Sequence, residues 1–155
     1  RNTMTKKKVV IGMSGGVDSS YSLTRNTISH PLNEDTITQL VTIHGFDIRL
    51  GDDKAHVFEQ KLRNTRMLGE RLGKGVISIT NNLQDLTEQL QIQWGSLAHG
   101  AALASVGLLM ANRFRKFYIA PNWSYARILP SGAHPLLDPL WSTEFLTFFH
   151  DGCEA

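Results

Sequence analysis

The residues best suited to chemistry in this chain come together in SGGVDSS, residues 14 to 20. Two adjacent glycines, an aspartate and three serines follow directly on the apolar run KVVIGM. Glycines carry no Cβ, so the backbone can approach a ligand closely with its N–H groups turned inward. If a helix opens behind them, the positive end of its dipole favours phosphate as the guest. The serine hydroxyls add further donors. Asp18 is out of place in an anion site unless it caps the helix or helps hold a Mg²⁺ ion that the phosphates also bind. The bland alternative is a structural Gly-Gly turn with a serine cap. The full string, set between a strand and a helix, speaks for phosphate.

Two other phosphate loops do not fit. The dinucleotide fingerprint needs G-x-G-x-x-G, and the glycines here are adjacent. The Walker loop needs G-x-x-x-x-G-K-[ST], whereas Gly73-Lys74 follows a helical segment and precedes Gly75.

The elements that must position the loop alternate. Lys8 to Met13 is short, apolar and β-branched, the pattern of a strand buried on both faces. VDSSYSLT opens a helix, with Asp18 or a neighbouring serine in its first turn. Asn26 to Asp35 is polar, holds Pro31 and reads as a loop or broken helix. Gln39 to Ile48 is the second strand, ending near Gly45. Asp52 to Gly73 is an amphipathic helix on Val57, Phe58, Leu62, Met67, Leu68 and Leu72, with aspartates at its front and Gly73 at its end. Gly75 to Thr80 is a third strand, and Leu83 to Ile92 a helical turn. Ser96 to Phe114 is a helix of small residues, Lys116 to Pro121 a fourth strand, and EFLTFFHDG a fifth. This order predicts an α/β fold, a five-stranded parallel sheet sandwiched by helices, with ligands at the carboxyl ends of the strands.

At this point SGGVDSS, placed after a first strand, resembles the SGGxDS pyrophosphate loop of the N-type ATP pyrophosphatases, the PP-loop superfamily. That resemblance implies a Rossmann-like, adenine nucleotide alpha hydrolase-like domain over residues 1 to 155, with any substrate domain lying C-terminal to it. It implies ATP and Mg²⁺ as ligands and cleavage of ATP to AMP and pyrophosphate. A substrate oxygen would be adenylated and then meet a nitrogen or sulfur nucleophile, in ligase-type amide-forming or amidating chemistry. Ser14, Gly15, Gly16, Asp18, Ser19 and Ser20 would hold the phosphates, and Asp18 the metal. The end of the second strand, Ile43, His44, Gly45 and Phe46, would lie near adenine. His99 and Gly100 would line the ATP cleft, with His99 as a phosphate donor or general acid.

The chain departs from parts of that family. Where many tRNA-modifying relatives carry Gly-His-x-x-Asp-Asp, it reads Leu97-Ala98-His99-Gly100-Ala101-Ala102. One cysteine, Cys153, makes neither a four-cysteine zinc site nor a thiolation pair. A non-catalytic adenine-nucleotide-binding domain and a tRNA-modifying enzyme remain the alternatives.

The loop Asn122 to Thr143 holds Ser131, His134, Asp138, Trp141, Ser142 and Thr143 between prolines. It reads as a substrate-recognition loop, with Asp138 a catalytic contact for Mg²⁺ or an amine and Trp141 for stacking. Leu136, Leu137, Leu140 and Trp141 are expected to plug the core beneath it. Asp151, after His150, is a weaker candidate, since aspartate before glycine is ordinary turn chemistry. Acidic neighbours make Cys153 a poor nucleophile.

Composition bounds the rest. The 155 residues are 41% hydrophobic and 19% charged, with 16 Lys+Arg against 14 Asp+Glu and a net charge of +2. That balance is too even to argue for a nucleic-acid partner, which is disfavoured here, and the small-molecule substrate is what the resemblance implies. Arg63, Arg66, Arg71 and Lys74 read as the solvated face of a helix, and Arg113, Arg115 and Lys116 as a second small cluster. No run approaches the roughly 18 apolar residues of a membrane span. A cytoplasmic setting fits the lone cysteine. Self-association is left open.

Overall fold

Five parallel strands carry the architecture: β1 (Val9–Met13), β2 (Ile37–His44), β3 (Gly75–Thr80), β4 (Lys116–Ile119) and β5 (Thr147–His150). The computed structural model describes residues 9–13 by their backbone and residues 37–51, 53–120 and 130–150 in full. Helix α1 (Ala55–Leu72) leads from β2 to β3. Helix α2 (Leu83–Gln89), a π-helical turn (Trp94–Ala98) and α3 (His99–Leu109) lead from β3 to β4. A 3₁₀ turn (Asp138–Trp141) precedes β5.

The expected five-stranded sheet, evenly sandwiched by helices, needs correction. The strands described in full form two small two-stranded parallel units, β2–β3 and β4–β5. They meet through the backbone of β1, which pairs with β2 on one side and β4 on the other. The strand order is β3-β2-β1-β4-β5. Helical cover differs between the faces. Ala102, Leu103, Ala104 and Val106 of α3 share one core with Val41 and Ile43 of β2, Phe117 and Ile119 of β4, and Phe148 of β5. On the other face α1 lies against β2 and β3. Residues 14–36, where a further helix was expected, lie outside the described residues.

Local chemistry explains most boundaries. In α1 the buried positions are Phe58, Leu62, Thr65 and Gly69, spaced as one helical stripe, whereas Met67 is 63% exposed. Gly73 ends the helix in the left-handed region at φ 64°, and the Lys74 N–H reaches the Gly69 carbonyl at 2.8 Å. This Schellman-type closure favours glycine because a Cβ is penalised there. The start was read differently. The N-cap is Lys54, its side chain makes no capping bond, and the first turn holds no acidic residue. The helix of small residues is also shorter than Ser96 to Phe114. It opens with the π turn and leaves regular geometry after Leu109.

The proline loop departs most from expectation. Leu136 is 76% exposed, Leu137 46%, Leu140 77% and Trp141 40%, so none of them plugs the core. Asp138 is the buried member of that segment, at 0% exposure. This stretch turns the Asp138 carboxylate inward and Leu136, Leu137, Leu140 and Trp141 outward.

Candidate functional site

β1 ends at Met13, paired with Thr42, and Gly12 pairs with Ile119 of β4. Its successor in the chain, β2, lies on one flank, and β4 lies on the other. In parallel sheets that reversal opens a crevice at the carboxyl edge. Ser14, Gly15, Gly16, Asp18, Ser19 and Ser20 follow β1 directly and lie outside the described residues, as do Asp151 and Cys153.

At the end of β2, His44 stacks on Phe58 of α1, with ring centroids 4.1 Å apart and planes 7° from parallel. Gly45 has φ 99°, and a Cβ there would overlap the backbone carbonyl of Asn81. The Asn81 N–H bonds the His44 carbonyl at 3.0 Å. Gly45 therefore serves the close approach of two backbones at the ends of β2 and β3. Phe46 is fully buried and meets Trp94 at 4.9 Å and His99 at 6.0 Å, both edge-on. Of the four residues expected near adenine, Ile43 and Phe46 lie in the core, Gly45 packs on backbone, and His44 spends one ring face on Phe58.

His99 opens α3 behind the π turn and is 4% exposed. Burial lowers its pKa, which favours the neutral imidazole; Asp47 and Asp138 pull weakly the other way. Gly100 packs against Gly132, where a Cβ would overlap the carbonyl of Gly132. The Gly132 N–H bonds the Gly95 carbonyl at 3.0 Å, so the proline loop docks on the start of α3 by backbone contact. Ser131 adds a bond to the same carbonyl at 3.3 Å.

Asp138 uses both carboxylate oxygens. Oδ1 accepts the His134 N–H at 3.2 Å, and Oδ2 lies 2.6 Å from Nδ1 of His150. Both side chains of that pair are buried, at 0% and 4% exposure. His134 itself accepts the Leu136 N–H on Nδ1 at 3.1 Å. Ser142 and Thr143 close the turn into β5. Ser142 Oγ accepts from the Phe148 N–H, and Thr143 Oγ1 from the N–H groups of Phe145 and Leu146. Asp138 is thus an orienting carboxylate, and Ser142 and Thr143 are turn-formers. Sequence reasoning passed over His150. An Asp-x₁₁-His spacing carries no local signal, and only the docking of the loop on β5 pairs the two.

Several buried polar atoms at this edge have no partner among the described residues: Thr42 Oγ1, His44 Nε2, Asn81 Nδ2, Gln84 Oε1, Trp94 Nε1 and His99 Nε2. Buried polar groups are normally bonded, so such a concentration suits a ligand edge. Among the described residues no group of three or more His, Cys, Asp or Glu side chains could hold a metal ion. Nor is any described helix long and apolar enough to cross a membrane.

No protein-family model matches the chain, and no curated protein matches it significantly.

Proposed function

We propose that this chain binds ATP–Mg²⁺ and cleaves it to AMP and pyrophosphate, adenylating a small substrate for amide-forming or amidating chemistry in a cytoplasmic setting. The observation that carries the reading is the place of SGGVDSS. The loop follows the central strand β1 at the point where the connections diverge to β2 and β4. On this reading the loop's N–H groups and Ser14, Ser19 and Ser20 hold phosphate, and Asp18 shares Mg²⁺ with it. The buried atoms Thr42 Oγ1, His44 Nε2 and Asn81 Nδ2, which have no partner among the described residues, support the same edge as the ligand side.

The test is a thermal-shift titration with ATP–Mg²⁺, AMP and pyrophosphate, on the wild type and on the double variant Ser14→Ala, Asp18→Ala. A ligand at a hundredfold excess over Kd should stabilise the wild type by about 2.7 kcal/mol. The double variant should lose that shift. AMP and pyrophosphate in the mixture identify an enzyme. A shift without them identifies a nucleotide-binding domain that does no chemistry, and no shift with any ligand overturns the reading.

A further inference from the structure

We propose that His150, oriented by Asp138, takes the proton from the nucleophile that attacks at the carboxyl edge; this rests on the nucleotide reading above. The first observation is an inversion of ordinary burial. The segment Leu136 to Trp141 exposes its leucines and tryptophan and buries its aspartate completely. Burying a carboxylate is costly unless it is paired and bonded. Here both oxygens are engaged, one by the His134 N–H and one by the His150 ring at 2.6 Å. An arrangement that exposes apolar groups to bury a charge serves something other than core packing.

The second observation is the tautomer that this contact imposes. A carboxylate can only accept, so Nδ1 of His150 carries the hydrogen and Nε2 is left with the lone pair. An imidazole so oriented is a ready proton acceptor, and the carboxylate stabilises the imidazolium that results. The third is placement. His150 pairs with Ile119, and Ile119 with Gly12, two residues before the SGGVDSS loop. Two strand spacings put His150 about 10 Å from β1 along that row. His99 interacts electrostatically with Asp138 from α3 and is kept neutral by burial. His134 meets Asp138 through its backbone. Lys116 of β4 lies over the Phe149 ring, on the opposite face of β5 from His150.

The step balances in both forms. With an amine, the new bond forms at the adenylated carbon, and the bond to the AMP oxygen breaks with its electron pair leaving on AMP. The amine's proton passes to Nε2. With water in place of substrate, oxygen bonds to the α-phosphorus, the electron pair leaves on pyrophosphate, and the water's proton passes to Nε2.

The experiment follows ATP–Mg²⁺ binding by thermal shift and AMP release into water across pH 5 to 9, for wild type, His150→Gln and Asp138→Asn. His150→Gln should bind ATP–Mg²⁺ as wild type does. Its AMP release should fall about 100-fold and differ in pH profile from the wild type. Asp138→Asn should lose rate similarly; if it fails to fold, His150→Gln decides alone. ATP binding with unchanged AMP release and pH profile in His150→Gln overturns the dyad and leaves the nucleotide reading intact. ATP binding by the wild type without AMP release overturns the dyad too. No binding at all overturns the nucleotide reading, and this inference with it.

Discussion

The two halves of the carboxyl edge solve the problem of buried polarity in opposite ways. On the β4–β5 side Asp138 is wholly buried, and both of its oxygens are answered by His134 and His150. On the β2–β3 side Thr42, His44 and Asn81 keep buried polar atoms without partners among the described residues. A satisfied network strengthens its own bonds in a low dielectric and holds one geometry. An unsatisfied one costs stability unless something else completes it. The contrast separates a side whose buried carboxylate is answered from a side whose buried polar atoms lack partners among the described residues.

The largest effect that can break this contrast is expected at Asp138. Asp138→Ala removes one partner of a buried pair and should cost about 3 kcal/mol, read from the denaturant midpoint. A loss below about 1 kcal/mol would mean that the network is no firmer than a surface contact. The opposite sign is expected at His44. His44→Phe keeps the stack on Phe58 and removes an unpartnered nitrogen, so the apo protein should gain roughly 1 kcal/mol. The same variant should bind ATP–Mg²⁺ more weakly if that nitrogen serves the ligand. A destabilised His44→Phe would show that the ring nitrogen is answered in solution.

A pH series sharpens the middle ground, where His99 lies between the two sides. Burial holds its folded pKa below the ordinary value of 6.5. Above that value both folded and unfolded forms are neutral, and the group contributes nothing. As pH falls below it, the unfolded chain takes up the proton first and stability drops. The melting temperature should fall by about 2–4 °C more in wild type than in His99→Gln between pH 7.5 and 5.5, equivalent to roughly 1 kcal/mol. Parallel curves would place His99 in contact with water. The smallest effect is expected at Leu140, which is 77% exposed. Leu140→Gln should change stability by less than about 0.5 kcal/mol, whereas a core role would make it costly.

Much of the local structure was legible in the residues. Gly75 to Thr80 alternates and forms β3 over that span. The stripe through Phe58 and Leu62 and the stop at Gly73 gave α1 its buried face and its end. The front of α1 misled, because the aspartates suggested a cap, whereas the N-cap is Lys54 and its side chain makes no capping bond. The leucines of the proline loop misled more. Hydrophobicity argues for burial residue by residue, yet the docking of Gly132 on Gly100 and Gly95 decides which side of the loop faces inward. The Gly-Gly-Asp-Ser motif was legible as a string, and its setting behind the central strand follows from the order β3-β2-β1-β4-β5.

By itself the sequence determined that strands alternate with helical segments over the described residues, through period, propensity and glycine punctuation, all of which act within a few residues. It also set SGGVDSS directly behind the first strand. The tertiary structure alone decided that Asp138 meets His150, that Phe46 turns to Trp94 and His99, and that the leucines of the loop face outward. Those outcomes depend on contacts between segments distant along the chain, and the cost of burying a charge is settled only when its partner arrives.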